Sequence, residues 1–196
     1  MLYIDSEGWF VGSEDSTPVR HCASPNYNQR PLATAVDLLV IHNISLPPGQ
    51  FGGGNVEALF CNRLDCDADP AFAELRGLEV SAHVLIDRAG AITQFVSLHD
   101  RAWHAGQSCF QGRANCNDFS VGIELEGTDT LPYTDAQYVQ LMRLTRLLCD
   151  YFPALTPSRI VGHSDIAPER KTDPGPAFDW DRYKRQLGSI ININSQ

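Results

Sequence analysis

Histidine, lysine and aspartate side chains are concentrated in one proline-rich segment, residues 162–180 (GHSDIAPERKTDPGPAFDW). In this segment His163 directly follows an apolar run, and Lys171 lies between it and Asp173. A neutral imidazole and a carboxylate can bind zinc, and a protonated lysine can stabilise a developing oxyanion. The prolines prevent a helix or a central strand from running through. We therefore predict a long rigid loop that supplies two metal ligands and an electrophilic lysine; the alternative is a solvated, charged surface loop.

A third potential ligand, His42, ends the apolar run of residues 37–42 (DLLVIH). Four consecutive apolar residues before a polar one are typical of a strand that is buried on both faces. The C-terminal ends of such strands are where open α/β sheets usually place their sites. One arrangement would combine His42, His163 and Asp173 around a single zinc ion and leave the fourth position for water.

Two glutamates, Glu124 and Glu126, lie on one face of a further predicted strand at residues 119–127 (FSVGIELEG). A carboxylate on an otherwise apolar strand is unusual unless it is paired or functional. At about 6.5–7 Å between Cα atoms, the pair could also form a glycosidase dyad, or it could be solvated on a half-exposed strand. No GxSxG motif is present, and none of the six cysteines lies in a cysteine-protease signature.

The elements around these residues alternate only loosely between strands and helices. A hairpin is predicted around Ala89 and Gly90, and Thr134 with Gln137 forms a capping box before the clearest helix. The pattern indicates an α/β fold, with one central mixed β-sheet flanked by helices. The predicted strands are residues 37–42, 81–88, 91–97, 119–127 and 159–161, and the predicted helices are residues 55–64, 70–75, 134–152 and 179–187.

The length, composition and net charge of the chain limit its fold and its possible binding partners. A chain of 196 residues with 43% hydrophobic residues suits one domain over residues 1–196. We expect an irregular arm at residues 1–36, where prolines recur, and a frayed tail at residues 188–196. The net charge of -9 argues against a nucleic-acid partner. There is no apolar signal region or membrane-length apolar run, and no CxxC spacing, so we expect a cytoplasmic protein with reduced thiols and no membrane contact.

Taken together, five segments resemble a known family: the cytoplasmic 1,6-anhydro-N-acetylmuramyl-L-alanine amidases of bacterial cell-wall recycling, the AmpD type. The resemblance runs in order over roughly residues 19–187. It implies the fold shared with phage lysozyme-type amidases and peptidoglycan recognition proteins, a central mixed β-sheet with helices against it. The segments are LLVIHNISLPPG (38–49), SAH (81–83), RAWHAG (101–106), CNDFSVGIELEGTDT (116–130) and the proline-rich segment 162–180.

The resemblance also implies roles for individual residues. His42, His163 and Asp173 would bind one zinc ion, Glu124 would be the general base, and Lys171 would stabilise the transition state. The substrate would be an anhydro-muropeptide, cleaved between the lactyl group of the sugar and L-alanine. Contacts with the substrate are expected from Asn43, Trp103, Arg113 and Glu126, the last of these acting directly or by supporting another residue.

The sequence differs from the family pattern at two positions, and two alternative functions stay open. Family members often carry basic residues at the positions of Glu79 and Asn115, and we expect Arg113 to compensate here. A non-catalytic muropeptide-binding module of the same fold is one alternative, although such modules typically lose a zinc ligand. A two-carboxylate glycoside hydrolase is the other, and it would leave Lys171 and the two histidines without a role.

Overall fold

The computed structural model describes residues 1–12 and 18–193, with side chains up to residue 188. The strands in these ranges are β1 (Tyr3–Ile4), β2 (Phe10–Val11), β3 (Val19–His21), β4 (Tyr27–Gln29), β5 (Leu38–Ile44), β6 (Val84–Ile86), β7 (Ile92–Gln94), β8 (Asp100–Ala102), β9 (Cys109–Phe110), β10 (Arg113–Ala114), β11 (Ser120–Glu126) and β12 (Ile160–Gly162). The α-helices are α1 (Asn55–Phe60), α2 (Asp135–Tyr151), α3 (His163–Ile166) and α4 (Trp180–Ile193), and 3-10 helices lie at Pro70–Leu75, Cys116–Asp118 and Pro157–Arg159.

Six strands form the central sheet, in the order β12-β5-β11-β6-β7-β3. Strands β12, β5, β11 and β6 run parallel, whereas β6 and β7 form the predicted antiparallel hairpin. The predicted mixed sheet is therefore confirmed. In the parallel part, Glu124 pairs with His42 and Gly162 pairs with Ile41. This register brings the C-terminal ends of β5, β11 and β12 to the same edge of the sheet.

Apolar side chains cover both faces of β5, which explains its uninterrupted hydrophobic run. On one face, Leu39 and Ile41 pack in the main core together with residues of α2 and α4. On the other face, Leu38 and Val40 pack in a smaller cluster with Phe119 and the residues that follow β8 and β12. Because side chains alternate along a strand, His42 continues the second face, and the smaller cluster forms the floor beneath it.

The predicted capping box at the start of α2 is present and ties the helix to the sheet. The Thr134 hydroxyl accepts from the Gln137 amide, while the Gln137 side chain accepts from the Thr134 amide. Thr134 also donates to the carbonyl of Arg88, and the Gln137 side chain donates to the carbonyl of Glu126, at the end of β11. The helix is thus fixed to the hairpin and to the strand that carries both glutamates.

Replacing Thr134 by alanine is expected to lower the free energy of unfolding by about 1–2 kcal/mol, near the upper part of the range for a lost N-cap. This loss of stability is larger than for a typical N-cap because the Arg88 carbonyl also loses its hydrogen-bond donor. Urea denaturation measures the change. Thr156→Ala is the matched control, since Thr156 precedes a 3-10 helix without a side-chain cap bond. Equal losses in the two variants would contradict the role given to the capping box.

Two predictions about the chain's ends and one about the proline-rich segment are wrong. The arm at residues 1–36 is not irregular throughout, because β3 pairs with β7 and extends the central sheet; residues 13–17 lie outside the described ranges. The tail is helical as far as Ile193, since α4 extends beyond residue 187, and residues 194–196 are not described. The proline-rich segment begins with one helical turn, α3. Strands of two or three residues and a single turn are too short to show a period in the sequence.

Helix boundaries also differ slightly from the prediction. Helix α1 ends at Phe60 instead of residue 64, and Gly54 occupies its N-cap position, so that Asn55 is the first helical residue and does not cap the helix. The Asn55 side chain instead donates to the carbonyl of Leu46. At α4, the Asp179 side chain accepts from the Arg182 amide three residues later, which is the pattern of an N-cap. Among the described residues, no helix has both the length and the apolarity that crossing a membrane requires.

Candidate active site

The structure brings His42, His163 and Asp173 together at the C-terminal edge of the sheet. His42 ends the buried part of β5, His163 is the first residue of α3, and Asp173 lies in the loop that follows α3. The Nδ1 atoms of the two imidazoles are 3.0 Å apart, and each is 3.1 Å from Oδ2 of Asp173. Both histidines are buried and the aspartate is partly buried. These three side chains form a group that could hold a metal ion.

The charges of this group favour a cation. Burial lowers the pKa of His42 to about 4, so this imidazole is neutral at neutral pH. Burial by itself would raise the pKa of Asp173, but the two imidazoles outweigh it and hold that pKa below its ordinary value. His163 Nε2 lies 3.1 Å from the carbonyl of Ala105, which can only accept, so the proton of a neutral His163 is on Nε2 and its Nδ1 has a free lone pair.

Two imidazole nitrogens and a carboxylate oxygen thus converge on one point. Three protein ligands of this type, with one position left open, are typical of catalytic zinc sites, whereas structural zinc sites usually have four Cys or His ligands. The donor set in this structure therefore fits a single divalent ion of the zinc type.

The loop that carries Asp173 is held at several points. The Ser164 amide donates to the carbonyl of Asp173, and the Tyr133 hydroxyl donates to the carbonyl of Pro174. Pro174 also packs directly on Gly162, where an added Cβ would lie 2.8 Å from the proline ring. The loop is ordered by these contacts, as predicted, and they fix the carboxylate relative to β12.

Glu124 is a buried ionisable group beside the three converging side chains. It pairs in register with His42 on the adjacent parallel strand, and only 8% of it is exposed. Burial raises the pKa of its carboxyl well above the ordinary value, and the nearby Asp173 adds to this effect. Among the described residues, its Oε2 atom is buried without a hydrogen-bond partner. Such a carboxyl group is suited to accept a proton and to give it back.

A cleft of about 560 Å³ opens next to this group. Asn43, Lys171 and Asp173 are among the residues that line it. The Asn43 amide donates to Asp129 Oδ1 at 2.8 Å, so one of its polar groups is already engaged. The cleft therefore joins the lysine side chain, an amide and the candidate metal ligand Asp173.

The two glutamates of β11 have different environments. Glu126 is buried, and its carboxylate accepts from the backbone amides of Gly52 at 2.5 Å and Arg88 at 3.2 Å. It thereby fixes the glycine-rich loop before α1 and the turn after β6. Both Glu126 oxygens have backbone donors, whereas Glu124 Oε2 has no hydrogen-bond partner within the described part of the chain, so the structure does not favour a symmetric glycosidase dyad.

Trp103 and Arg113 are also engaged within the protein. The Trp103 indole donates to Asn28 Oδ1 at 2.9 Å. The Arg113 guanidinium lies 3.8 Å from the ring centre of Phe119 and 3.4 Å from the carboxylate of Asp37. A substrate contact by Trp103, Arg113, Asn43 or Glu126 stays a prediction.

The sequence did not predict the hydrogen bonds of His104 and Arg170 around the candidate ligands. His104 Nδ1 lies 2.9 Å from His42 Nε2, on the side away from the metal group. Arg170 donates to the carbonyl of Ala105 at 2.6 Å, the same oxygen that orients His163. In the sequence, His104 was equally compatible with a cleft residue and with a hydrogen-bonded core residue, and only the fold places it behind His42.

Comparison with known proteins agrees with this geometry. The sequence model of the N-acetylmuramoyl-L-alanine amidase family matches residues 32–176. The 1,6-anhydro-N-acetylmuramyl-L-alanine amidase AmpD of Escherichia coli (strain K12) is 57% identical over 178 residues, which cover 91% of this chain and 93% of that protein. The chain belongs to the N-acetylmuramoyl-L-alanine amidase family. Its predicted resemblance to the 1,6-anhydro-N-acetylmuramyl-L-alanine amidases is confirmed.

Other relatives of this amidase support the same assignment. AmpD of Haemophilus influenzae (strain ATCC 51907 / DSM 11121 / KW20 / Rd) is 55% identical over 85% of this chain and 91% of its own length. A crystal structure of a selenomethionine derivative of AmpD has a TM-score of 0.87 at 54% identity, covering 94% of this chain and 98% of that one. The structure of the amidase AmiD from E. coli in complex with anhydro-N-acetylmuramic acid-L-Ala-D-gamma-Glu-L-Lys has a TM-score of 0.58 at 27% identity, over 93% of this chain and 65% of that one.

Proposed function

We propose that this amidase hydrolyses the amide bond between the lactyl group of 1,6-anhydro-N-acetylmuramic acid and L-alanine of the stem peptide, in peptidoglycan recycling. The observation that carries the proposal is the buried Glu124 carboxyl, whose Oε2 has no hydrogen-bond partner among the described residues, beside the three converging ligand atoms. The names of the AmpD relatives and the substrate bound to AmiD supply the chemical class of the substrate.

One zinc ion would be held by His42, His163 and Asp173. When bound, it would act as a Lewis acid on the amide carbonyl and lower the pKa of water. Asp173 supplies the negative charge in this ligand set, and the two imidazoles supply the nitrogen donors. Among the described residues, all three ligand atoms lie within 4.8 Å of one another.

Glu124 would perform the proton transfers. Its raised pKa matches a group that takes a proton from the attacking water and then delivers it to the departing amine of L-alanine. Burial disfavours the charged carboxylate, so Glu124 can hold the proton between the two transfers. Lys171, at the side of the cleft, would place its ammonium group near the negative charge that develops on the carbonyl oxygen.

The proposed reaction is tested by mass spectrometry of an anhydro-muropeptide disaccharide after incubation with the protein. Release of the intact stem peptide from the sugar supports the amidase. Cleavage between the two sugars would support the glycoside hydrolase instead. Binding without turnover would support a muropeptide-binding module.

Replacing Lys171 by methionine is expected to lower kcat by about 10²–10³-fold, the usual effect of losing one oxyanion donor. Methionine keeps much of the side-chain length and removes the charge. Steady-state hydrolysis measures the change, and zinc content is expected to stay at the wild-type level. Lys184→Met is the matched control, because Lys184 lies on α4 against Trp180. A wild-type rate for Lys171→Met would exclude the proposed role.

We also propose that residues 1–196 act as one zinc amidase domain in the cytoplasm. The six cysteines are free thiols in the structure, which suits a reducing compartment. The partner proposed is the small anhydro-muropeptide substrate; the acidic net charge does not favour a nucleic acid.

A further inference from the structure

A chain of hydrogen bonds leads from His42 into the protein interior. His42 Nε2 lies 2.9 Å from His104 Nδ1, His104 Nε2 lies 3.1 Å from the Ser120 hydroxyl, and that hydroxyl lies 2.6 Å from the carbonyl oxygen of Cys116. Ser120 is fully buried at the start of β11. The chain therefore ends on a backbone oxygen that can only accept a hydrogen bond.

The direction of each bond follows from that last oxygen. At 2.6 Å from the Cys116 carbonyl, Ser120 must donate its single proton there. Its oxygen then accepts from His104, which places a proton on His104 Nε2. In a neutral imidazole, Nδ1 of His104 is then an acceptor, and it can receive only the Nε2 proton of His42. The outcome is a His42 ring whose Nδ1 is unprotonated and faces the other two ligands.

Packing and backbone hydrogen bonds fix the position of His104. Its ring lies on Gly122 of β11, where an added Cβ would come within 2.5 Å of the ring. Behind the ring, the Asn117 side chain accepts from the backbone amides of His104 at 3.1 Å and Ala105 at 2.7 Å. Both the ring and its backbone are thus fixed independently of Ser120.

We propose that Ser120, acting through His104, is a positioning residue that sets the tautomer of His42 for metal binding. This inference rests on the proposed metal site. His163 does not need such a device, because the backbone carbonyl of Ala105 already fixes its tautomer. The two histidine ligands are therefore oriented in different ways, and only the orientation of His42 depends on a side chain that mutation can remove.

The test compares Ser120→Ala with the wild type in two measurements. In the metal-free protein, nitrogen NMR of the imidazoles should show His42 protonated at Nε2 in the wild type and in a mixture of tautomers in Ser120→Ala. In chelator competition, the zinc affinity of Ser120→Ala should fall by about 10–100-fold, the usual effect of removing an outer partner of a metal ligand. Ser24→Ala is the matched control: Ser24 is also buried and also donates to a carbonyl, that of Phe60, and it is expected to retain wild-type affinity.

A second variant, His104→Phe, fills the space on Gly122 with a ring but removes both nitrogens. It should weaken zinc binding at least as much as Ser120→Ala does. The double variant should bind zinc no more weakly than His104→Phe alone, because Ser120 acts only through His104. Additive losses, or a wild-type tautomer and affinity in Ser120→Ala, would overturn the relay while leaving the metal site intact. Failure of the wild-type protein to bind zinc would instead reject the proposed metal function, and the tautomer measurement on metal-free protein would still decide the relay.

Discussion

Replacing Glu124 by glutamine is expected to lower the rate of amide hydrolysis by about 10²–10⁴-fold, the usual contribution of a general acid–base group. Glutamine has nearly the same shape but cannot accept a proton from water. Zinc should remain bound at the wild-type level, because Glu124 is not one of the three converging ligands. The fold should also persist, since the replacement removes a carboxyl group whose burial is unfavourable in its charged form.

Steady-state rates and metal content, measured on the same samples, test this expectation. Glu74→Gln is the matched control, because Glu74 is exposed on the 3-10 helix Pro70–Leu75. A Glu124→Gln protein that keeps zinc and loses activity separates proton transfer from metal binding. If the variant hydrolyses the amide at nearly the wild-type rate, the general base is another group.

Replacing Asp173 by alanine is expected to abolish both zinc binding and hydrolysis. Asp173 supplies the carboxylate oxygen that lies 3.1 Å from each of the two imidazole nitrogens. Without it, only two neutral nitrogens remain, and the net charge that attracts a dication is lost. The fall in zinc affinity should exceed the about 10–100-fold expected for an outer residue such as Ser120.

Metal analysis after dialysis and a hydrolysis assay measure these two losses. Asp181→Ala, at an exposed position on α4, is the matched control for removing an aspartate. Retention of one zinc ion per molecule by Asp173→Ala would show that the ligand set is different. Both Asp173→Ala and Glu124→Gln should lose hydrolytic activity. Only Asp173→Ala should also lose the zinc ion, so the two variants separate metal binding from proton transfer.

The strands that carry the site were predictable because their patterns are long. The seven residues of β5 and of β11 show, respectively, an unbroken apolar run and an alternation with glutamates on one face. The capping box of α2 was predictable because it depends on residues three positions apart. By contrast, β3 was missed: it has three residues and joins the sheet through β7, which is distant in the sequence.

The ligand set illustrates a different limit of sequence reasoning. His42 is separated from His163 by 121 positions and from Asp173 by 131, so spacing alone could not show that they meet. The family resemblance suggested the set, and the parallel register of β12, β5 and β11 places the two histidines side by side. The roles of His104 and Ser120 could not be predicted, because they depend on the direction of hydrogen bonds between buried groups.

A zinc titration of the metal-free protein tests most directly whether hydrolysis depends on one zinc ion. After each addition, mass spectrometry measures the stem peptide released from an anhydro-muropeptide. We expect no release without metal, and release that rises with added zinc and saturates at one equivalent. Asp173→Ala should stay inactive throughout the same titration. Full stem-peptide release by rigorously metal-free protein would show that hydrolysis does not need a zinc ion on His42, His163 and Asp173.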